Sequence, residues 1–407
     1  MKKIKQFLAL LLLVFSAVVY AQTNYCVSGC NDNSFLNSHD PNTIEYDNMI
    51  GLYHSTLIKE ANGTVKVWGA SSASNGSNHN LAPVAVTPGN GYNYQGSILK
   101  MTGGSSGGRN AQFAILTTAG LYVWGAEGLL INDDLTTNTA FHKFQNIGTY
   151  NQTGTSAFGL PKGVNPADVK MMFGTYQALA IVTCTGEAWV LAYDAPMFGD
   201  GAPLGNNNQN RLVWHRVSTD TAPLTNVVAV RGTGPSLMAL TSSGEVYVWG
   251  STTYLGNNAG SSSRSTATKM DLTALGLSAT KKVKMIGATS NTSYFILTSD
   301  GEVWGLGENS ARELGMGNSN TTDQNNWQRT QLKTNGIDDK IAWISPNEHS
   351  AGNGGSKGYG AVNALTTDGK LWAWGANASR MLGGGNDSQI DPTAQPGVTR
   401  PKKSLQI

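Results

Sequence analysis

The chain reads as an all-β protein, a β-propeller of four-stranded blades, and three observations carry that expectation. A hairpin-like segment recurs six times, glycine supplies 49 of 407 residues, and charged residues make up only 13%. Average soluble domains hold roughly 7% glycine and about 25% charged residues. This chain is therefore rich in turns and short of ion-paired helical surface, as a sheet-repeat architecture requires.

The recurring unit is a short apolar run, a polar turn ending in glycine, and an alternating strand. It occupies Leu57 to Gly69, Ile115 to Gly125, Ile181 to Ala192, Ala239 to Gly250, Ile296 to Gly307 and Ala364 to Gly375. The turn glycines are Gly63, Gly120, Gly186, Gly244, Gly301 and Gly369, at spacings of 57, 66, 58, 57 and 68 residues. In the fifth and sixth units an Asp-Gly pair supplies the positive backbone dihedrals of a tight hairpin turn. Apolar alternation after the turn fits a strand between two packed sheets. A further strand precedes five of the hairpins: Ile98 to Met101, Val169 to Met172, Val227 to Val230, Val283 to Ile286 and Ile341 to Ile344. A fourth, less regular strand then completes each blade. The second unit carries a long insertion from Leu129 to Lys162.

Indoles recur at fixed places in the unit. Trp68, Trp124, Trp249 and Trp374 stand four or five residues after the turn glycine, and Trp304 and Trp372 three residues after it. A large ring repeated at one structural position reads as filler between blades rather than as a platform for ligand stacking. These rings and the turn glycines are therefore expected to be structural.

The ends read differently. Residues 1–21 have three early lysines, an apolar run from Phe7 to Val19 and a Val19-Tyr20-Ala21 cleavage pattern, which predicts a secretory signal peptide. Residues 22–43 form an N-terminal segment in which Cys26 and Cys30 could close a small disulfide loop, leaving Cys184 unpaired; free thiols are the alternative. Residues 44–400 hold the repeats, and 401–407 form a tail that could begin a further blade.

Charge and motif content narrow the function. The net charge is +2 with no basic run in the body of the chain, so a nucleic acid partner is not expected. His39, His54, His79, His142, His215 and His349 are scattered without metal-ligand spacing, and neither a nucleophile elbow nor a phosphate-cradling loop occurs. Asp133-Asp134 and Asp338-Asp339 read as solvated pairs, and Asn31-Asp32-Asn33 lacks the spacing of a calcium loop. No catalytic residue, cofactor or metal is expected. Polar, weakly charged segments between the hairpins, among them Ser71 to Asn80 and Asn318 to Asn326, could offer hydrogen bonds to a partner.

The units resemble those of the regulator of chromosome condensation family, with its Leu-Thr-x-x-Gly-x-Val-x-x-Trp-Gly hairpin and Asn-x-x-Gly-x-Leu-Gly tail. Leu297 to Asn318 and Leu365 to Asn386 match best, and Leu204-Gly205-Asn206 and Leu255-Gly256-Asn257 are weaker copies of the tail. The resemblance covers about Ile44 to Arg400 and implies a seven-bladed ring, whereas six repeats are visible here. Thr23 to Asn48 could complete a seventh blade, the ring could have six, or the chain could be the front of a longer protein. The nucleotide-exchange activity of the eponymous member is not carried over, because fold alone does not license function. Similarity to secreted bacterial relatives implies instead a monomeric, secreted or cell-surface scaffold that binds a protein or glycan without catalysis. A soluble inhibitor of a secreted enzyme and a polysaccharide-active propeller are the alternatives.

Overall fold

The computed structural model describes residues 23–26, 40–44, 46, 48–52, 54–105, 110–126, 138–146, 148–154, 156–192, 195–203, 212–233, 236–251, 263–289, 292–317, 320–331, 340–349, 360–377, 382 and 390–399. The leader, Cys30, both Asp-Asp pairs, the Asn31 segment, the 204–206 and 255–257 tails and residues 401–407 lie outside them.

Six sheets form six blades of a propeller, each an antiparallel four-stranded meander. The first contains β1 (Met49–Leu52), β2 (Ser55–Lys59), β3 (Val65–Gly69) and β4 (Asn80–Ala85); the second contains β5 (Ile98–Ser105), β6 (Ala111–Thr117), β7 (Gly120–Gly125) and β8 (His142–Lys143). A small hairpin, β9 (Gly148–Thr149) and β10 (Gln152–Thr153), precedes the third blade of β11 (Val169–Gly174), β12 (Ala178–Thr183), β13 (Ala188–Ala192) and β14 (Val213–Arg216). The fourth has β15 (Val227–Gly232), β16 (Ser236–Thr241), β17 (Val246–Gly250) and β18 (Arg264–Lys269). The fifth has β19 (Val283–Ala288), β20 (Ser293–Thr298), β21 (Val303–Gly307) and β22 (Gln324–Arg329). The sixth has β23 (Ile341–Pro346), β24 (Ala361–Thr366), β25 (Lys370–Gly375) and β26 (Ile390–Thr399). Part of the insertion in the second unit is thus sheet after all, because β9 pairs in parallel with β14 and widens the third blade.

The hairpin motif has a local cause. In Thr183, Thr241 and Thr366 the backbone carbonyl accepts the N–H of the turn glycine at 2.9–3.0 Å, and the hydroxyl accepts the N–H of the residue after it at 2.8–3.1 Å. One buried threonine therefore satisfies two turn donors. Gly301 has φ +90°, and a Cβ there would stand 2.9 Å from the backbone nitrogen of Ile341 in the next blade. The glycine after the indole has a different reason: at Gly375, φ +97°, a Cβ would lie 2.3 Å from the carbonyl oxygen of Gly360 on the paired strand.

Trp124, Trp249, Trp372 and Trp374 are fully buried, while Trp68 and Trp304 are half-buried. Three of them reach back to the preceding blade. Trp124 Nε1 donates to the carbonyl of Ser72 at 3.0 Å, Trp249 to Met197 at 3.0 Å, and Trp374 to Glu313 at 2.7 Å. Each acceptor follows the third strand of the neighbouring blade, so an indole both fills the interface and fixes its register. Trp374→Phe should keep most of the packing but lose the bond, lowering stability by about 1 to 2 kcal/mol. Equal stability of the two proteins in urea titrations would show that the bond contributes nothing.

Two described stretches of the N-terminal segment, residues 23–26 and 40–44, lie against the end of the ring that carries the hairpin turns. The first of them corrects the expected cysteine pairing: Cys26 is bonded to Cys184, 158 residues away, with Cα atoms 4.8 Å apart, so Cys184 is not free. The reason is docking by the neighbouring residue. Tyr25 donates its N–H to the carbonyl of Cys184 at 2.6 Å and its hydroxyl to Asn226 Oδ1 at 2.9 Å, bringing the two thiols together. Lys170 Nζ then donates to the carbonyls of Tyr25 and Asn42 at 2.7 and 2.9 Å, holding both stretches to the third blade.

Candidate functional site at the ring axis

The innermost strands β1, β5, β11, β15, β19 and β23 surround the ring axis. β15 places Arg231 after a run of Val227, Val228, Ala229 and Val230, and its guanidinium is 2% exposed. A buried cation needs a partner, and the chain supplies one from two blades further round the ring. Beyond the end of β23, Glu348 forms an ion pair with Arg231 Nη2 and accepts the N–H of Ala288 at 3.3 Å through its other oxygen.

His349 completes this plug. Its Nδ1 lies 2.9 Å from the carbonyl oxygen of Gly174 and 3.2 Å from that of Gly103, so Nδ1 carries the proton. Nε2 is then the acceptor facing Arg231 Nη2 at 3.4 Å. The His349 carbonyl accepts Ser105 N–H at 2.9 Å. Residues 346–349 of the sixth blade thus bond to the second, third, fourth and fifth blades. From the turn end Tyr46 enters the axis, its hydroxyl accepting Ile286 N–H at 3.2 Å. The Arg231 guanidinium lies 4.8 Å from the Tyr46 ring centre and 4.5 Å from that of Phe173, cation–π distances in a site closed to water. On β19, Lys284 donates to the Ala342 carbonyl at 2.9 Å, and burial lowers its pKa to about 8.

At the axis Glu348 is engaged through both oxygens and His349 through both ring nitrogens, which ties these groups into the plug. Retaining or inverting glycoside hydrolysis needs two carboxyl groups facing one another, and the described axis holds Glu348 alone. Among the described residues no group of three His, Cys, Asp or Glu could hold a metal ion, and no helix is long and apolar enough to cross a membrane. A second buried pair, His215 with Asp200 at 2.7 Å, sits in the third blade, where the imidazole stacks on Phe198 at 3.9 Å. It joins β14 to the short helix α1 (Ala195–Phe198).

The glycines and indoles singled out in the sequence lie at the turns and between blades, and the axis is made of other residues. Arg231 had one visible signal, a lone cation at the end of an otherwise aliphatic inner strand. His349 was visible only as one of six scattered histidines. The exposed polar residues at the opposite, loop-bearing end include Ser77 and Asn78 of the first blade and Thr321 of the fifth.

Comparison with known proteins agrees with this architecture. No family model matches the chain. A stretch of 175 residues, 43% of the chain, is 32% identical to the human E3 ubiquitin-protein ligase HERC2, of which it spans 3% of the length. Human WBSCR16 has a similar structure, with TM-score 0.59 at 19% identity over 87% of this chain and 85% of that one. Prp20p from Saccharomyces cerevisiae, described with its binding to Gsp1p and histones, gives TM-score 0.57 at 14% identity over 85% of this chain and 76% of its own.

Proposed function

Because the chain is a β-propeller like that of the regulator of chromosome condensation, we propose that it works outside the cell as a monomeric, non-catalytic scaffold binding a protein or glycan. The observation that carries this reading is the filled axis: Arg231, Glu348, His349 and Tyr46 occupy the space where a small substrate would sit. Recognition then falls to the rim. The turn end is contacted near the axis by residues 23–26 and by Tyr46, whereas the opposite end carries the long, polar connections between third and fourth strands. Loops on a rigid ring offer hydrogen bonding with little loss of scaffold order. The Cys26–Cys184 bond fits an oxidising compartment, and the leader-like residues 1–21 supply the route there.

Surface plasmon resonance of the purified chain against panels of extracellular proteins and glycans tests this. Replacing Ser77, Asn78 and Thr321 together with Glu should weaken the interaction at least ten-fold. Ala61→Glu with Thr367→Glu, at the turn end, should leave it unchanged. No binding to either panel, or binding indifferent to the loop charges, would sink the proposal.

A further inference from the structure

At the turn end of the ring the third blade meets the fourth in a cleft, and the chain's own residues 23–26 sit in it. The hairpin turn of the third blade is its floor. A Cβ on Gly186 would stand 2.9 Å from Tyr25 Cε2 and 2.8 Å from Asn226 Cα, so only glycine leaves room for a ring between the two blades. Tyr25 fills that room: it is 8% exposed, and its ring joins the apolar cluster that runs from the third blade to the fifth. Its hydroxyl donates to Asn226 Oδ1 at 2.9 Å, with Ser242 Oγ 3.3 Å away.

The acceptor is held in an uncommon conformation. Asn226 precedes β15 with φ +58°, whereas Ser97, Asp168 and Lys282, at the same place before β5, β11 and β19, do not enter the left-handed region. Asparagine is one of the few residues with a side chain that adopt that region at modest cost. The main chain of the seated segment is engaged as well. The Cys184 carbonyl accepts Tyr25 N–H at 2.6 Å, and Lys170 Nζ donates to the Tyr25 carbonyl at 2.7 Å. Asn24 Oδ1 accepts Cys26 N–H at 2.9 Å and sets the bend around the tyrosine. A slot for a ring, an acceptor for its hydroxyl, and an acceptor and a donor for its backbone are the parts by which an extended peptide is recognised.

We propose that this cleft is a recognition site for an extended, tyrosine-bearing segment of a partner polypeptide, and that residues 23–26 are a resident occupant which the Cys26–Cys184 bond locks in place. The seated segment identifies the chemistry of the partner: a tyrosine whose hydroxyl meets Asn226 and whose backbone lies between Cys184 and Lys170. A covalently held segment confronts its cleft at an effective concentration that no separate peptide matches. Exchange with a dithiol opens the lock. Its thiolate attacks Cys26 Sγ, in the more exposed of the two cysteines; the bond to Cys184 breaks, a mixed disulfide forms on Cys26, and Cys184 leaves as a thiolate that takes up a proton. The second thiol then displaces Cys26 as a thiol, and the dithiol is oxidised to its own disulfide. The inference is independent of the loop-end interaction, and either can fail alone.

A fluorescent peptide of residues 22–27 carrying Cys26→Ser reports on the cleft through its anisotropy. It should not bind the disulfide-bonded chain and should bind once the chain is reduced with dithiothreitol. Tyr25→Ala with Cys26→Ser in the chain vacates the cleft, and binding should then be at least ten-fold tighter than to the reduced chain, because the tethered competitor is gone. In the vacated chain Asn226→Gly keeps the left-handed backbone and removes the acceptor. It should weaken the peptide at least five-fold and leave a weaker Tyr25→Phe peptide unaffected, a coupling that general loosening of the ring does not produce. Equal binding to the disulfide-bonded and reduced chains would show that residues 23–26 do not occupy the site. No binding to either the reduced or the vacated chain would show that the cleft takes no separate segment. Either result overturns the inference. So would dimers linked through Cys26 and Cys184 when the reduced chain is reoxidised at high concentration, since the occupant would then be a second copy.

Discussion

Glu348→Ala should lower the stability of the chain by about 3 to 5 kcal/mol, the cost of stranding a buried charge. Arg231 is 2% exposed and lies between the rings of Tyr46 and Phe173, so water cannot replace the lost carboxylate. Ala288 N–H loses its acceptor in the same step. The ion pair itself need not be worth that much, because two charges withdrawn from water recover only part of their hydration from each other. The double variant Arg231→Met with Glu348→Leu separates these effects and should regain most of the stability lost in Glu348→Ala. Urea unfolding with a common m-value measures all three. A loss below about 1 kcal/mol in the single variant would mean that the plug does not hold the ring.

What could be read in the sequence was whatever one blade decides for itself. Thr366 and Gly369 mark a hairpin because the turn geometry and its two donors are settled within five residues, and the same is true at Thr183 and Thr241. The indole positions were legible for a related reason: a ring repeated in register must meet the same surroundings each time. Features that depend on which blades meet across the ring were not legible. Cys26 is four residues from Cys30 and 158 from Cys184, yet Tyr25 docks on the third and fourth blades and selects the distant partner. Arg231 and Glu348 are 117 residues apart, and nothing local to either says that they converge.

The same logic of residues buried between blades makes the protein sensitive to alkali through Glu313. This side chain follows the third strand of the fifth blade, beside the carbonyl that accepts Trp374, and is fully buried. Oε2 accepts the N–H of Ala311 at 2.7 Å, while Oε1 has no hydrogen-bond partner among the described residues. Burial pushes its pKa up to about 8, and the negative charges of Glu308 and Asp323 push in the same direction. The native state therefore holds a proton that the unfolded chain, with an ordinary glutamate pKa near 4.5, releases. Wherever the native state binds more protons, stability falls as pH rises. The contribution is fully present below pH 4.5 and is lost as the pH climbs to about 8, a total on the order of 3 to 5 kcal/mol. Lys284 acts in a separate window: its lowered pKa of about 8 makes stability rise between there and its ordinary value of 10.5. Glu313→Gln keeps the shape and the acceptor for Ala311 but cannot ionise, so it mimics the protonated acid. Its stability should match that of the unaltered chain at pH 5 and exceed it by several kcal/mol at pH 8.5. Parallel pH profiles for the two proteins would mean that Glu313 finds water or a cation when it ionises, and that the interface between the fifth and sixth blades opens to let it do so.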